Sequence, residues 1–272
     1  MSKNQAYKHQ VFNDSGYILM FPNLGEDADL LQSYPPNPYA ESATQLYPLG
    51  TKLIQGERVW RYCKNGAAAL AIAGLVQSPA VAHAEQNYNI ACGAVAAIGA
   101  YEVVITSTAN LDTTPNDEKN SFAEGYLFVN DEAGEGQCYK IKSNDALSGT
   151  GNSTFVLYDP LTIALSTSSQ LGLIHNLYDR VIIAAAVTSG HVIGVPLIAV
   201  STASYYFWCQ TGGPAPVWNN GTEVLGTMVT IGTTAGKGDP MAAVTTELII
   251  GYPLTPCETA TETFMCFLTL DN

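Results

Sequence analysis

Two adjacent stretches constrain this chain more than any others. Val192-Ile193-Gly194-Val195-Pro196-Leu197-Ile198-Ala199-Val200 is followed closely by Tyr205-Tyr206-Phe207-Trp208-Cys209-Gln210-Thr211-Gly212-Gly213-Pro214-Ala215-Pro216-Val217. β-Branched and aromatic residues fill them, and Gly and Pro punctuate them, so they read as two strands that end in a tight Gly212-Gly213-Pro214 turn. Four consecutive large side chains, Tyr205 to Trp208, place aromatic surface on both faces of one strand. Such a strand must be covered on both sides, by its own domain or by a neighbouring subunit.

The rest of the chain repeats this grammar. Within Tyr47–Cys63, Gly56-Glu57 reads as a turn between two short strands, with Val59, Arg61 and Cys63 alternating against Trp60 and Tyr62. Ala100–Thr108, Gly125–Asn130, Gln137–Ser143 and Thr154–Tyr158 read as strands, the middle two joined as a hairpin by the acidic, glycine-rich Asp131–Gly136. Arg180–Thr188, Gly226–Gly232, Glu247–Gly251 and Thr263–Leu270 continue the series. The weak alternation of Thr263–Leu270 fits a strand covered on both faces. Ala67–Ala73 reads as small-residue packing or a short helix, and Ala80–Gln86 as a further helical turn.

Short strands at roughly ten-residue spacing predict a mainly β chain, antiparallel, sandwich-like or barrel-like. Residues 1–46 stand apart. Pro22, Pro35, Pro36 and Pro38 exclude long helices and central strands there, which predicts an extended Pro-rich N-terminal arm. Its tyrosines, with Tyr47 just beyond, suit either a neighbour's surface or the arm's own domain. The expected organisation is an arm (1–46), a β-rich domain (47–160) and a second β-rich domain (161–272), or one continuous domain over 47–272.

Only 13% of the 272 residues are charged, about half the usual share, while 47% are hydrophobic. A surface so poor in charge is expected to be partly buried in an assembly. Residues 1–64 hold balanced charge, and the remainder carries the whole net charge of −13. An acidic surface repels phosphate backbones, which argues against nucleic-acid binding. Six cysteines without Cys-x-x-Cys spacing fit free thiols in a reducing compartment. The N-terminus lacks the apolar core of a signal peptide, and no run reaches the roughly 18 apolar residues that span a membrane, so synthesis in the cytoplasm and no membrane partner are expected.

No motif carries chemistry well. Gly232-Thr233-Thr234-Ala235-Gly236-Lys237-Gly238 approaches a phosphate loop but is one residue short, with Gly238 where Ser or Thr should stand. Asp131, Glu132 and Glu135 share a turn without calcium-loop spacing. His9, His83, His175 and His191 are dispersed, and neither Cys92 nor Cys209 has a local base. No catalytic, cofactor-binding or metal residue is assigned, and the chain is expected not to be an enzyme. A glycosidase-type carboxylate pair from distant strands stays open.

At Tyr47–Lys52, Gly56–Tyr62, Gly125–Asn130, Gly134–Gly136, Tyr139–Lys142 and Tyr206–Pro214 the chain resembles virion structural proteins of tailed bacteriophages, most closely capsid decoration (cement) proteins. The resemblance implies a β-rich protein, often a homotrimer, that sits on the outside of the capsid, contacts the major capsid protein and clamps neighbouring capsomers. Tyr34, Tyr39 and Tyr47 are then expected as arm contacts, and Trp60, Tyr206 and Trp208 as further anchors of the assembly interface. The alternative is a tail, fibre or baseplate component that binds a host-surface glycan through exposed aromatics.

Overall fold

The computed structural model describes the backbone of residues 12–14 and 17–20, and residues 36–79, 88–107, 111, 118–147, 150–186, 189–242 and 248–271 in full. Among the described residues there is no helix, and every strand pairing is antiparallel, as the punctuated β pattern requires. The chain forms two compact units: Met1–Asn23 with Asp29–Ala80 and Leu177–Asn272, and Leu24–Ala28 with Val81–Asn176.

The first unit holds a twelve-stranded sheet. Its main path begins with β1 (Phe12–Asp14), β2 (Tyr17–Met20), β3 (Lys52–Gln55) and β4 (Arg58–Lys64). Off this path lies β5 (Val76–Gln77). The second unit carries a six-stranded sheet made of β6 (Ile90–Ala91), β7 (Glu102–Ser107), β8 (Tyr126–Asp131), β9 (Cys138–Asn144), β10 (Gly151–Leu157) and β11 (Gln170–Ile174), in the spatial order β6-β11-β8-β9-β10-β7. Cys92, just past β6, bridges Ile105 of β7, which brings the two ends of that order together into a nearly closed barrel. Its core includes Val103, Ile105, Leu127, Ile141, Phe155 and Leu173, the inward positions of alternating strands.

The chain then returns to the first sheet through β12 (Ile182–Ile183), β13 (Val192–Pro196), β14 (Tyr206–Trp218), β15 (Val229–Ile231), β16 (Gly238–Pro240), β17 (Gly251–Pro253) and β18 (Thr263–Thr269). The path runs on as β4-β14-β18-β17-β15-β16, while β13 pairs with both β14 and β5, and β5 with β12.

Two expectations are corrected. Gly212-Gly213-Pro214 is not a turn: it lies inside β14, a continuous strand of 13 residues. The glycines serve close approach instead. Gly213 has φ +76°, and a Cβ there would sit 2.2 Å from the Glu57 carbonyl oxygen. The β14 register against β4 shifts between Gln210 and Gly212, a bulge that turns the strand from one neighbour to the next. Beyond it, Trp218 donates its backbone N–H to Ala73, away from β18, so the even-numbered residues direct their amides away from the β18 ladder. Pro214 and Pro216 fall on those positions, where a missing N–H breaks no ladder bond. Gln210 completes the strand by donating Nε2 to the carbonyls of Gly212 and Pro214, at 2.9 and 2.8 Å.

The second correction concerns the boundary at 160/161, which falls inside the second unit. β11 comes after that point, yet pairs with β8 over Gln170–Ile174 and buries Leu171 and Leu173 in the same core as Leu127. Of the expected arm, β1 and β2 form a hairpin, and β2 pairs with β3 through Ile18↔Ile54, Leu19↔Leu53 and Met20↔Lys52, so this part extends the sheet. Arg180–Thr188 yields only the two-residue β12, and Ala67–Ala73 is irregular, with Leu70 bridged to Val200. The Ala80–Gln86 segment lies outside the described residues.

Candidate assembly surface

The aromatics singled out from sequence gather in one place, but mostly inside the first unit. Tyr47, Trp60 and Trp208 are buried together with Leu53, Tyr62 and Leu197, with Tyr206 packed against them. Tyr47 meets Tyr62 edge-on at 5.2 Å, Trp208 meets Tyr62 at 5.1 Å, and Tyr206 stacks on Tyr62 at 5.9 Å. Trp60 is 0% exposed and Trp208 2%, so neither offers surface to a partner in this conformation. Tyr206 is half-buried. Of the described residues in this set, Tyr39 presents the one exposed ring, and its hydroxyl accepts a hydrogen bond from Arg58 Nη1 at 2.9 Å. The same guanidinium reaches Gln210 Oε1 at 2.9 Å and lies 4.7 Å from the Trp60 ring. Tyr34 lies outside the described residues.

Burial raises the pKa of Tyr62 and pushes Tyr178 up to about 12, so both stay neutral phenols. Burial also raises the thiols of Cys92 and Cys209, the opposite of what activates a nucleophile. His175 stacks on Phe122 at 3.9 Å, and its Nδ1 lies 2.8 Å from the Ser121 carbonyl oxygen. In the loop that approaches phosphate-binding spacing, the amides of Gly232, Thr233, Gly236 and Lys237 are spent on Lys237 O, Asp239 Oδ2, Ala184 O and Thr234 O. No group of three or more His, Cys, Asp or Glu among the described residues could hold a metal ion.

The surface that sequence reasoning missed lies on β15, β17 and β18. β18 alternates cleanly in burial: Phe264, Cys266 and Leu268 are buried, whereas Thr263 and Met265 are exposed and Phe267 is half-buried. It is therefore not covered on both faces within the chain, contrary to expectation. Hydropathy does not follow this alternation, because Met265 and Phe267 on the outward face are as apolar as the inward residues. β17 pairs Tyr252 with Phe267, and their rings stack at 5.1 Å with 8° between planes. Leu254 donates its backbone N–H to Met265, so Leu254 and Met265 form the next rung on the same face. Tyr252 is 44% exposed, Leu254 41% and Met265 38%. Exposed Met228, Leu248 and Ile249 flank the pairing of Val229 with Gly251. No charged residue occurs in 248–257 or 263–270. The signal was present in the sequence as an uncharged strand pair with apolar residues at both parities.

Next to this face is an unusual carboxyl group. Glu223 pairs backbone groups with Cys257, and the residues after it, Val224 and Leu225, are exposed. Glu223 itself is 1% exposed, and neither of its carboxylate oxygens has a hydrogen-bond partner. Burial, with a contribution from the nearby charge of Asp239, raises its pKa to about 7. The Cys266 thiol faces the same carboxyl; burial first, and then Glu223, pushes it up to about 12. Compared with family models, curated proteins and solved structures, the chain matches none.

Proposed function

We propose that the chain is a structural protein of a tailed-phage virion, most like a capsid decoration protein. In this reading it is made in the host cytoplasm, carried on the capsid surface as a homotrimer, and bridges neighbouring copies of the major capsid protein. It acts by burying surface and not by chemistry. The observation that carries the reading is the outward face of β17 and β18, where Tyr252, Leu254, Met265 and Phe267 form an uncharged apolar patch on a chain with few charges. Soluble monomers keep such patches small, and larger ones mark interaction sites.

Burying one large apolar side chain contributes roughly 1.5–3 kcal/mol. A handful of them is comparable with the roughly 4–15 kcal/mol cost of association, so one contact holds modestly. Three contacts around a symmetric trimer would multiply that affinity. Because the protein would bind the assembled lattice and not its separate parts, it would stabilise the closed shell by mass action. The resemblance of stretches within residues 47–214 to tailed-phage virion proteins favours a virion over other assemblies.

Co-sedimentation tests the reading. The protein should pellet with expanded capsids of its phage and not with unexpanded ones, and Tyr252→Ser with Met265→Ser should abolish pelleting. Equal pelleting of parent and double variant would sink it, and a hit on a glycan array without capsid binding would favour the tail or fibre reading.

A further inference from the structure

A cavity of about 460 Å³ opens in the first unit, lined by Ala71, Val76, Ile183, Trp218, Gly236 and Lys237 among others. This volume lies within the roughly 300–1,000 Å³ usual for small-molecule sites and far above the voids left by ordinary packing. Small residues make the room: Ala71 and Gly74 on one wall, Ala235 and Gly236 on another. The remaining wall is mostly hydrocarbon and ring. Trp218 has its single donor committed to the Ile72 carbonyl at 2.7 Å, so what it can offer the cavity is ring surface.

Among the described residues lining the cavity, only Lys237 carries a charge. Its ammonium is held at the lip by one hydrogen bond, to the Ala260 carbonyl at 2.6 Å. An ammonium has three donors, which leaves two for an incoming acceptor. This cation stands out in a chain of net charge −13 with only five Lys/Arg beyond residue 64. Four of the loop amides that would cradle a phosphate, those of Gly232, Thr233, Gly236 and Lys237, are already bonded within the loop and to Ala184 and Asp239. A multiply charged phosphate would therefore find one cation, with those four amides already engaged. A single carboxylate needs no more than Lys237 supplies, and an apolar body suits walls on which water has few partners.

We infer that this cavity is a binding site for a monoanionic amphiphile, a hydrocarbon or aromatic body bearing one carboxylate, with the body against Trp218 and the carboxylate on Lys237. The site is independent of the assembly face. It explains why a lone lysine is anchored beside an apolar hollow, and why the loop that carries it is built from Gly, Ala and Thr.

Dodecanoate below its micellar concentration is the probe. Trp60 and Trp208 are buried, so a change in tryptophan emission reports on Trp218, and Trp218→Phe should remove it. The full-length protein should give a saturable change with dodecanoate. Dodecanol and dodecyltrimethylammonium should bind about tenfold more weakly or worse, as expected when a charge-assisted hydrogen bond is missing. Lys237→Gln should weaken dodecanoate by about tenfold and leave dodecanol unchanged. Ala71→Leu, at an exposed position on the lip, should abolish both, with Ala235→Val as a second filling variant and unchanged thermal unfolding as the control for each. No saturable change with the parent, equal binding of all three amphiphiles, or parent-like binding by Lys237→Gln would overturn the inference.

Discussion

Arg61 and Asp271 lie 210 residues apart in sequence and form a bidentate ion pair, with Arg61 Nε on Oδ2 and Nη2 on Oδ1 at 3.1 Å. Lys52 adds a contact to Oδ1 at 3.3 Å, and the Thr211 hydroxyl one to Oδ2 at 3.4 Å. One carboxylate past the end of β18 thus ties together β3, β4 and the bulge of β14. Burial alone would raise the Asp271 pKa. The hydrogen bond and charge of Arg61, and then Lys52, more than offset this and hold it below the usual carboxylate range.

Asp271→Asn should therefore destabilise the protein by about 1–3 kcal/mol at pH 7. A depressed folded pKa gives stability that is present above the ordinary carboxylate value and lost as pH falls through the folded one. The gap between parent and variant should close on acidification below about pH 4. Denaturant unfolding at pH 7 and pH 3 checks both statements.

Glu223 has the opposite sign. Its folded pKa is about 7 against an ordinary value of 4.5, so the folded state holds its proton more tightly than the unfolded chain. Below about pH 4.5 the group makes no difference. Between about pH 4.5 and pH 7 the unfolded chain has given up this proton while the folded state keeps it, so stability falls by about 3 kcal/mol, at roughly 1.4 kcal/mol per pKa step, and levels off above pH 7. The melting temperature should fall between about pH 4.5 and pH 7 more steeply for the parent than for Glu223→Gln, and the two should run parallel above pH 7. Identical slopes would show that Glu223 is not the titrating group.

Trp208→Ala should cost about 3–5 kcal/mol, the price of emptying a large buried site, through lost contacts with Tyr47 and Tyr62. The loss should be measurable by urea unfolding of the isolated chain, because the residue is part of its own core. A change in assembly with no change in stability would move Trp208 back to an interface role.

Gly213→Ala should destabilise by about 1–3 kcal/mol, since it places a Cβ at positive φ and against the Glu57 carbonyl. Gly56→Ala, also at positive φ but in open space, should cost less. Thermal melts of the two variants separate backbone strain from collision.

These positions explain what was legible in the sequence. The hairpin of β8 and β9 was readable because turn chemistry at Asp131–Gly136 and β-rich flanks agree locally. The all-β class was readable for the same reason. The Gly212-Gly213 pair was misread because glycine serves turns and close approach alike, and only a distant backbone, that of Glu57, distinguishes them. The 160/161 boundary failed because β11 is assigned by its partner β8, more than forty residues earlier, and not by its own composition. The aromatics were recognised as anchors, but sequence does not say which side of a strand a partner covers. Tyr47, Trp60 and Trp208 face the chain's own core, while the less conspicuous Tyr252, Leu254 and Met265 face outward.

The most direct test of the account is the solution mass of the purified protein by light scattering after size exclusion, beside the Tyr252→Ser, Leu254→Ser, Met265→Ser variant. The account predicts a parent near three times the 28.9 kDa chain mass, and a variant of the same mass and melting temperature that no longer pellets with expanded capsids. A parent that stays at 28.9 kDa across concentrations, and a variant that pellets with expanded capsids as the parent does, would contradict it.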